Sequence, residues 1–283
     1  MKTIEDISDM KKASLVMRVE GKKIAFVPTM GYLHEGHLSL MKKGKEVGDV
    51  LIVSIFVNPT QFGKGEDLER YPRDIEKDIE LCKGEGVDIL FVPSTREIYP
   101  EGYQTYVEVE GVTKNLCGAS RPGHFRGVAT VVTKLFNIVR PHYAIFGEKD
   151  FQQLVTIKRL ALDLDMDVDV IGMPIVRESD GLAMSSRNSY LGQEERGAAG
   201  SIYRALQRAK EVFDEGERSA GVLLNEARRV LEISPIIEPE YVKLVHTETM
   251  EDVDRVDNEA LLAMAVRIGK TRLIDNMILR KKG

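Results

Sequence analysis

Tryptophan is absent from this 283-residue chain, and cysteine occurs only twice, at Cys82 and Cys117. Two thiols so far apart exclude a disulfide framework and a CxxC-type zinc site, and both are expected to be reduced. Positive charge is not in excess: Lys and Arg number 40 against 45 Asp and Glu, a net charge of -5. Binding along a nucleic-acid backbone needs clustered cations that displace counterions, so nucleic acid is not an expected partner. Two small basic clusters, Lys42/Lys43/Lys45 and Arg280/Lys281/Lys282, read as a solvated helix face and a solvated tail. Long apolar runs are missing as well. The run from Val50 to Val57 is interrupted by Ser54 and cannot span a bilayer. The N-terminal Met-Lys-Thr-Ile-Glu-Asp lacks the charged-then-apolar pattern of a secretory signal. The expectation is a cytoplasmic protein with no membrane partner.

What is present is an ordinary globular mixture, 43% hydrophobic and 30% charged, in a chain long enough for one large domain or two smaller ones. Short apolar runs alternate with helical periodicity through the first part of the chain, as parallel strands joined by crossover helices do. The expected strands are Ile24 to Val27, Val50 to Val57, Ile89 to Val92 and Tyr143 to Phe146. The expected helices are Leu38 to Val47, Asp67 to Lys83, Val128 to Val139 and Phe151 to Leu164. After Pro174 the pattern changes to helices over Gln193 to Glu215 and Arg218 to Leu231. Strands follow over Tyr241 to Val245, Leu261 to Ile268 and Arg272 to Ile278. This predicts an α/β fold, a doubly wound Rossmann-like parallel sheet over residues 1–175, with a second, smaller α+β domain over 176–283.

The segment Pro28-Thr-Met-Gly-Tyr-Leu-His34-Glu-Gly-His37 joins an expected strand to an expected helix. The C-terminal edge of a parallel strand is where α/β folds bind ligands, and a helix N-terminus offers unpaired N–H groups to an anion. Gly36 permits close backbone approach. Two imidazoles three residues apart can face one phosphate chain, stabilising charge rather than attacking. His-x-x-His also has metal-ligand spacing, although no third ligand is evident nearby.

Three further segments carry similar chemistry. Asn58-Pro59 is a turn that would hold Gln61 at the ligand edge of the sheet, where an amide can donate to and accept from a hydroxy acid. Gly147-Glu148-Lys149-Asp150 is another strand end leading into a helix, with Lys149 as a cation for phosphate, Asp150 as a cap and Gln153 one turn on. Met184-Ser185-Ser186-Arg187 pairs two hydroxyls with one guanidinium, a donor set suited to polyphosphate. Read in isolation, Gln61 is a loop residue, Lys149 a surface lysine in a salt bridge and the Ser-Ser-Arg string a polar loop. His124, in the turn Arg121-Pro-Gly-His-Phe-Arg126, reads as supportive rather than catalytic.

His34-Glu-Gly-His37 matches the HxGH signature of the nucleotidylyltransferase superfamily, which includes class I aminoacyl-tRNA synthetases. The longer string PTMGYLHEGHLSL resembles the pantothenate synthetase family. FVNPTQF (56–62), YPRD (71–74), RPGHFRGVATVV (121–132), FGEKDFQQ (146–153) and LAMSSRN (182–188) continue the resemblance in the family's order. It implies condensation of pantoate with β-alanine, using ATP and Mg2+, by a homodimer. It further implies ATP binding by Met30, Gly31, Tyr32, Leu33, His34, Glu35, Gly36 and His37, by Gly147, Glu148, Lys149 and Asp150, and by Val176, Met184, Ser185, Ser186 and Arg187. Of these His34, His37, Lys149, Ser185, Ser186 and Arg187 would be catalytic, and Gln61 and Gln153 would bind substrate. The family's metal-ligating acid in the helix after the YPR string would fall at Asp78. A nucleotidylyltransferase that keeps AMP on its product, a tRNA-ligating enzyme and a catalytically silent ATP-binding regulator remain open on the residues alone.

Overall fold

Six short segments pair in parallel, and the inner ones have the continuous apolar character of strands buried on both faces, as Val50-Leu-Ile-Val-Ser-Ile55 shows most clearly. The computed structural model describes residues 1–281, so Lys282 of the basic tail lies outside the described residues. The chain forms two units. The first comprises Met1–Val109, Arg121–Glu148 and Gln153–Pro174; the second comprises Glu110–Ser120, Lys149–Gln152 and the chain from Ile175 onward.

In chain order the elements begin with β1 (Lys2–Ile4), α1 (Ile7–Val19), β2 (Ile24–Thr29), α2 (Glu35–Val47), β3 (Val50–Ile55), α3 (Ile75–Gly84) and β4 (Ile89–Phe91). There follow α4 (Thr95–Ile98), α5 (Leu116–Ser120), α6 (His124–Val139), β5 (Tyr143–Gly147), α7 (Phe151–Asp163) and β6 (Asp169–Met173). The first sheet runs β1-β4-β3-β2-β5-β6, all parallel. The chain leaves β2 toward β3 on one side and later returns beside β2 with β5 on the other. This is the topological switch point at which a doubly wound sheet opens a crevice beyond its strand ends. Here those ends are Thr29 and Gly147.

Both faces of the sheet are covered: alternate residues Ala25, Val27, Leu51 and Val53 form one core cluster with Met41 and Cys82, while Phe26 and Ile52 on the opposite face are also fully buried. Gly44 lets α2 sit close on the sheet, since a Cβ there would lie 2.6 Å from the Leu51 side chain. Each large apolar side chain removed from water in this way contributes on the order of 2 kcal/mol.

The second unit carries α8 (Gln193–Asp214), α9 (Ala220–Leu231) and the antiparallel strands β7 (Ile237–Val245), β8 (Glu259–Ile268) and β9 (Thr271–Arg280) in that spatial order. The small residues Ala199, Ala205, Ala209 and Ala227 on the helices meet Leu244, Leu262, Met264 and Val266 on the strands in a core of its own.

The expected α/β class and both sheets are present, and three details differ. The helix expected over Asp67 to Lys83 begins only at Ile75, because Pro72 interrupts it and Asp74 caps it by accepting from Lys77 N at 3.1 Å. The strand expected to reach Val57 ends at Ile55, where Asn58 opens a 3-10 turn over Pro59–Gln61. β1, α1 and β6 were not anticipated.

Candidate active site

Beyond β2 the backbone makes a tight, fully bonded turn. Thr29 Oγ1 donates to Ser54 O at 2.8 Å and accepts from Gly31 N at 3.1 Å. Gly31 and Tyr32 both have positive φ, +81° and +51°, and Gly31 is needed for space as well: a Cβ there would lie 2.9 Å from Ile55 and 3.0 Å from Asp78 Oδ2. The next two amides point at one carboxylate, Tyr32 N donating to Asp78 Oδ2 at 2.8 Å and Leu33 N to Asp78 Oδ1 at 2.7 Å.

His34 is the N-cap of α2. Its Nδ1 accepts from Gly36 N at 3.2 Å, and His37 Nδ1 accepts from His34 N at 3.3 Å, a reciprocal capping arrangement made by two histidines. Because both Nδ1 atoms accept, each neutral ring carries its proton on Nε2. The rings stand 4.1 Å apart between centroids and 44° from coplanar. The motif therefore presents two Nε2–H donors at the positive end of a helix, suited to the oxygens of a polyphosphate.

The Gln61 turn lies in the same unit. Asn58, 1% exposed, donates from Nδ2 to Gln61 Oε1 at 3.0 Å and to Gly127 O at 3.1 Å. Its Oδ1 accepts from Thr60 Oγ1 and from the Tyr99 hydroxyl, each at 2.9 Å. Burial pushes the Tyr99 phenol up to about 12, which keeps it a donor. Gln61 Nε2 reaches Met30 Sδ at 3.4 Å, so the residue expected to bind substrate touches the turn expected to bind ATP.

The Gln61 carbonyl is held in turn by His124 Nδ1 at 2.9 Å and Arg121 Nη2 at 3.2 Å. That carbonyl can only accept, so His124 donates from Nδ1, and its Nε2 accepts from Arg121 Nη1 at 3.1 Å. Arg121 also pairs with Glu66, its Nε lying 2.8 Å from Glu66 Oε1. Burial opposes the charge on Glu66, but the hydrogen bond and positive charge of Arg121 prevail and hold the carboxyl below its ordinary range.

In the second unit the Lys149 ammonium lies 3.8 Å from the Asp150 carboxylate, and the Lys149 carbonyl accepts from Asn276 Nδ2 at 2.9 Å. Met184 N donates to Val176 O at 3.0 Å, and Arg177 bridges Ala183, closing the loop that carries the serines. Ser185 caps the 3-10 turn Ser186–Tyr190, accepting from Arg187 N at 3.3 Å, while Ser186 is buried. Arg177 anchors this loop on Asp275, at 2.6 and 3.0 Å, and its guanidinium lies over the Tyr203 ring. Burial raises the Asp275 carboxyl against the opposing pull of Arg177. Arg196 ties Glu178 and Asp180 to the same loop.

Gln153 stands half-buried on α7 in the first unit, whereas its neighbour Gln152 is committed to structure in the second. Gln152 accepts from Cys117 N and donates to Val112 O and Asn115 O.

The described residues do not form a resident metal site. Among the described residues no group of three or more His, Cys, Asp or Glu side chains is arranged to hold a cation. The Nδ1 atoms of His34 and His37 accept from the backbone, and Asp78, 1% exposed, has both oxygens on amides. The Asp78 carboxyl, raised by burial despite those two N–H bonds, does not fit the open, hydrated oxygen site that Mg2+ prefers.

The model of the pantoate-beta-alanine ligase family matches residues 2–278. The chain belongs to that family. A pantothenate synthetase from Syntrophus aciditrophicus is 57% identical over 98% of this chain and 97% of its own length. The crystal structure of pantothenate synthetase from Thermus thermophilus superposes with a TM-score of 0.95 at 44% identity, covering 99% of this chain and 100% of that one. A pantoate-beta-alanine ligase from Francisella tularensis, complexed with beta-gamma ATP and beta-alanine, matches at 37% identity and TM-score 0.82 over 100% of this chain and 99% of its own.

Several residues that build the ligase-type turns escaped the sequence reading. Gly127 lies inside α6, where glycine costs about 1 kcal/mol relative to alanine, and that cost was the available signal. A Cβ at Gly127 would lie 2.4 Å from Thr60 O and 2.6 Å from Gln61 N, so the helix packs backbone against backbone beneath Gln61. Asp275 and Asn276 were signalled by two adjacent polar residues in the otherwise apolar Leu273-Ile-Asp-Asn-Met-Ile278.

Proposed function

We propose that this chain joins pantoate to β-alanine at the expense of ATP, through pantoyl adenylate, giving pantothenate, AMP and pyrophosphate. The full-length family match, with the histidine turn intact and Gln61 brought against Met30, is the observation that carries this reading. A pantoate carboxylate oxygen attacks the α-phosphorus of ATP. The bond to the bridging oxygen breaks, and pyrophosphate leaves with the electron pair. The β-alanine amine then attacks the acyl carbon, AMP departs, and the amine loses a proton to give the amide.

No protein nucleophile is needed. The Nε2–H groups of His34 and His37 would donate to phosphate oxygens as negative charge moves toward pyrophosphate, and the turn from Met30 to Gly36 would supply backbone N–H groups. Lys149, Ser185, Ser186 and Arg187 are assigned to the phosphates, and Gly147, Glu148, Asp150, Val176 and Met184 to the rest of the nucleotide. Gln61 and Gln153 are assigned to pantoate. Held rigid by Asn58, Arg121 and His124, Gln61 would fix the carboxylate in line with the α-phosphorus. Mg2+ would arrive with ATP, held by phosphate oxygens and water. Function divides near Ile175 in this reading, the C-terminal part carrying the Ser185–Arg187 loop, and the working form is a cytoplasmic homodimer.

The test is to supply ATP, pantoate and β-alanine to the purified chain and to resolve the nucleotide products. AMP and pyrophosphate formed in step with pantothenate are expected. ADP, or an adenylylated product that persists when amine is present, would contradict the proposal.

A further inference from the structure

We infer that Asp78 is a positioning residue that sets the shape of the phosphate-binding turn, and not a ligand of the magnesium ion; this rests on the reading of that turn as the ATP site. Three observations converge on it. Asp78 comes from α3, yet each of its oxygens is taken by a main-chain N–H of the β2–α2 turn, Tyr32 at 2.8 Å and Leu33 at 2.7 Å. Those amides belong to a segment in which two consecutive residues, Gly31 and Tyr32, have positive φ. A tyrosine adopts that conformation only when its surroundings hold it there. Gly31 passes so close that a Cβ on it would lie 3.0 Å from Asp78 Oδ2, so the turn packs tightly against an oxygen that a hydrated cation would have to approach.

The consequence runs directly into the site. His34 follows Leu33 by one residue, is the N-cap of α2 and receives the backbone geometry that the Asp78 carboxylate imposes. Without the carboxylate two inward-facing N–H groups lose their acceptor, and the turn can recover bonding only by rotating Tyr32 and Leu33. That rotation would redirect the His34 N–H to His37 Nδ1 bond and, with it, both Nε2–H donors. Asn at position 78 offers one oxygen and one NH2 to two donors, so Asp78→Asn removes half the match without changing the side-chain size.

The experiment compares wild type and Asp78→Asn in affinity for a non-hydrolysable ATP analogue, in KM for pantoate and in the Mg2+ concentration giving half-maximal rate. A weakening of analogue binding by about tenfold or more is expected, with pantoate KM and Mg2+ half-saturation unchanged. A loss of folded protein alone would not raise the analogue Kd. A large rise in Mg2+ half-saturation, with analogue affinity restored by excess Mg2+, would make Asp78 a metal ligand and overturn the inference. Unchanged analogue affinity would overturn it too. Should the variant fail to fold, hydrogen exchange in the nucleotide-free wild type decides: protected Tyr32 and Leu33 amides support the assignment, and fast-exchanging ones refute it. A wild type that binds the analogue but makes no AMP defeats the proposed reaction, while the comparison of analogue affinity, and its dependence on Mg2+, still decides the role of Asp78.

Discussion

The β2–α2 turn of the first unit and the Ser185–Arg187 loop of the second are both assigned to the phosphates of ATP, but different forces hold them. The turn is fixed almost wholly by backbone hydrogen bonds to Thr29, Asp78, His34 and His37, with a glycine where a side chain would collide. The loop is closed by backbone bonds such as Met184 N to Val176 O, but it is anchored by ion pairs, Arg177 with Asp275 and Arg196 with Glu178 and Asp180, and only one of these carboxylates is deeply buried. Short-range hydrogen bonds in a buried turn preserve angles to within a narrow range and respond little to salt. Partly exposed ion pairs are screened by salt and leave more freedom. A turn presenting two donors at defined angles needs the first kind of support; a loop delivering one long guanidinium tolerates the second.

The largest effect expected from breaking this contrast is at Arg177. Arg177→Ala leaves Asp275 buried and unpaired, at an expected cost of about 3–5 kcal/mol read as a fall in thermal unfolding temperature. An equally deep loss is not expected from any residue of the histidine turn. His37→Ala should keep the fold, because the bond from His34 N to its ring is long at 3.3 Å. It should lose on the order of 3 kcal/mol of transition-state stabilisation, measured as the rate of pantoate-dependent AMP release. Gly127→Ala drives a methyl group against Thr60 O and should cost about 1–3 kcal/mol, with a rise in KM for pantoate exceeding that for ATP.

The smallest effect is a pH dependence. The Glu66 carboxyl is depressed when folded, so its stabilising contribution is complete above the unfolded carboxylate pKa and is lost as pH falls through the folded one. In acid titrations of stability, Glu66→Gln should flatten the wild-type decline below about pH 4.5. An unchanged slope would mean that the Arg121 pair is not formed in solution.

The same contrast explains what could be read in advance. β2, β3 and β5 were legible because strands buried on both faces are continuously apolar, and the histidine turn was legible because two imidazoles and a glycine at a strand end have few other uses. β1 and β6 were missed because each lies at an edge of the sheet. Lys2-Thr-Ile4 is too short to show a pattern, and Asp169-Val-Ile-Gly-Met173 is only partly buried and follows a run of aspartates. Residues 67–74 were misread as helix because their charges suit an exposed helix face, and Pro72 weighed too little against them. Asp78 reads as a cation ligand from the family resemblance, which places an acid in the helix after the YPR string but does not show which atoms its carboxylate faces. Here it faces amides from a segment 45 residues away. Gln61 was correctly placed at a strand end, while its support from Arg121, His124 and Gly127 depends on a packing that no local pattern encodes.

The central claim is that the carboxylate of one substrate attacks the α-phosphorus of ATP in a site shaped to stabilise departing pyrophosphate. Oxygen-18 placed in the carboxylate of pantoate tests it most directly. The account predicts that the label appears in the phosphate of AMP, because the oxygen that attacks phosphorus remains there when the amine takes the acyl group. Label found instead in inorganic phosphate, with AMP unlabelled, would place the attack on another phosphorus and contradict the account.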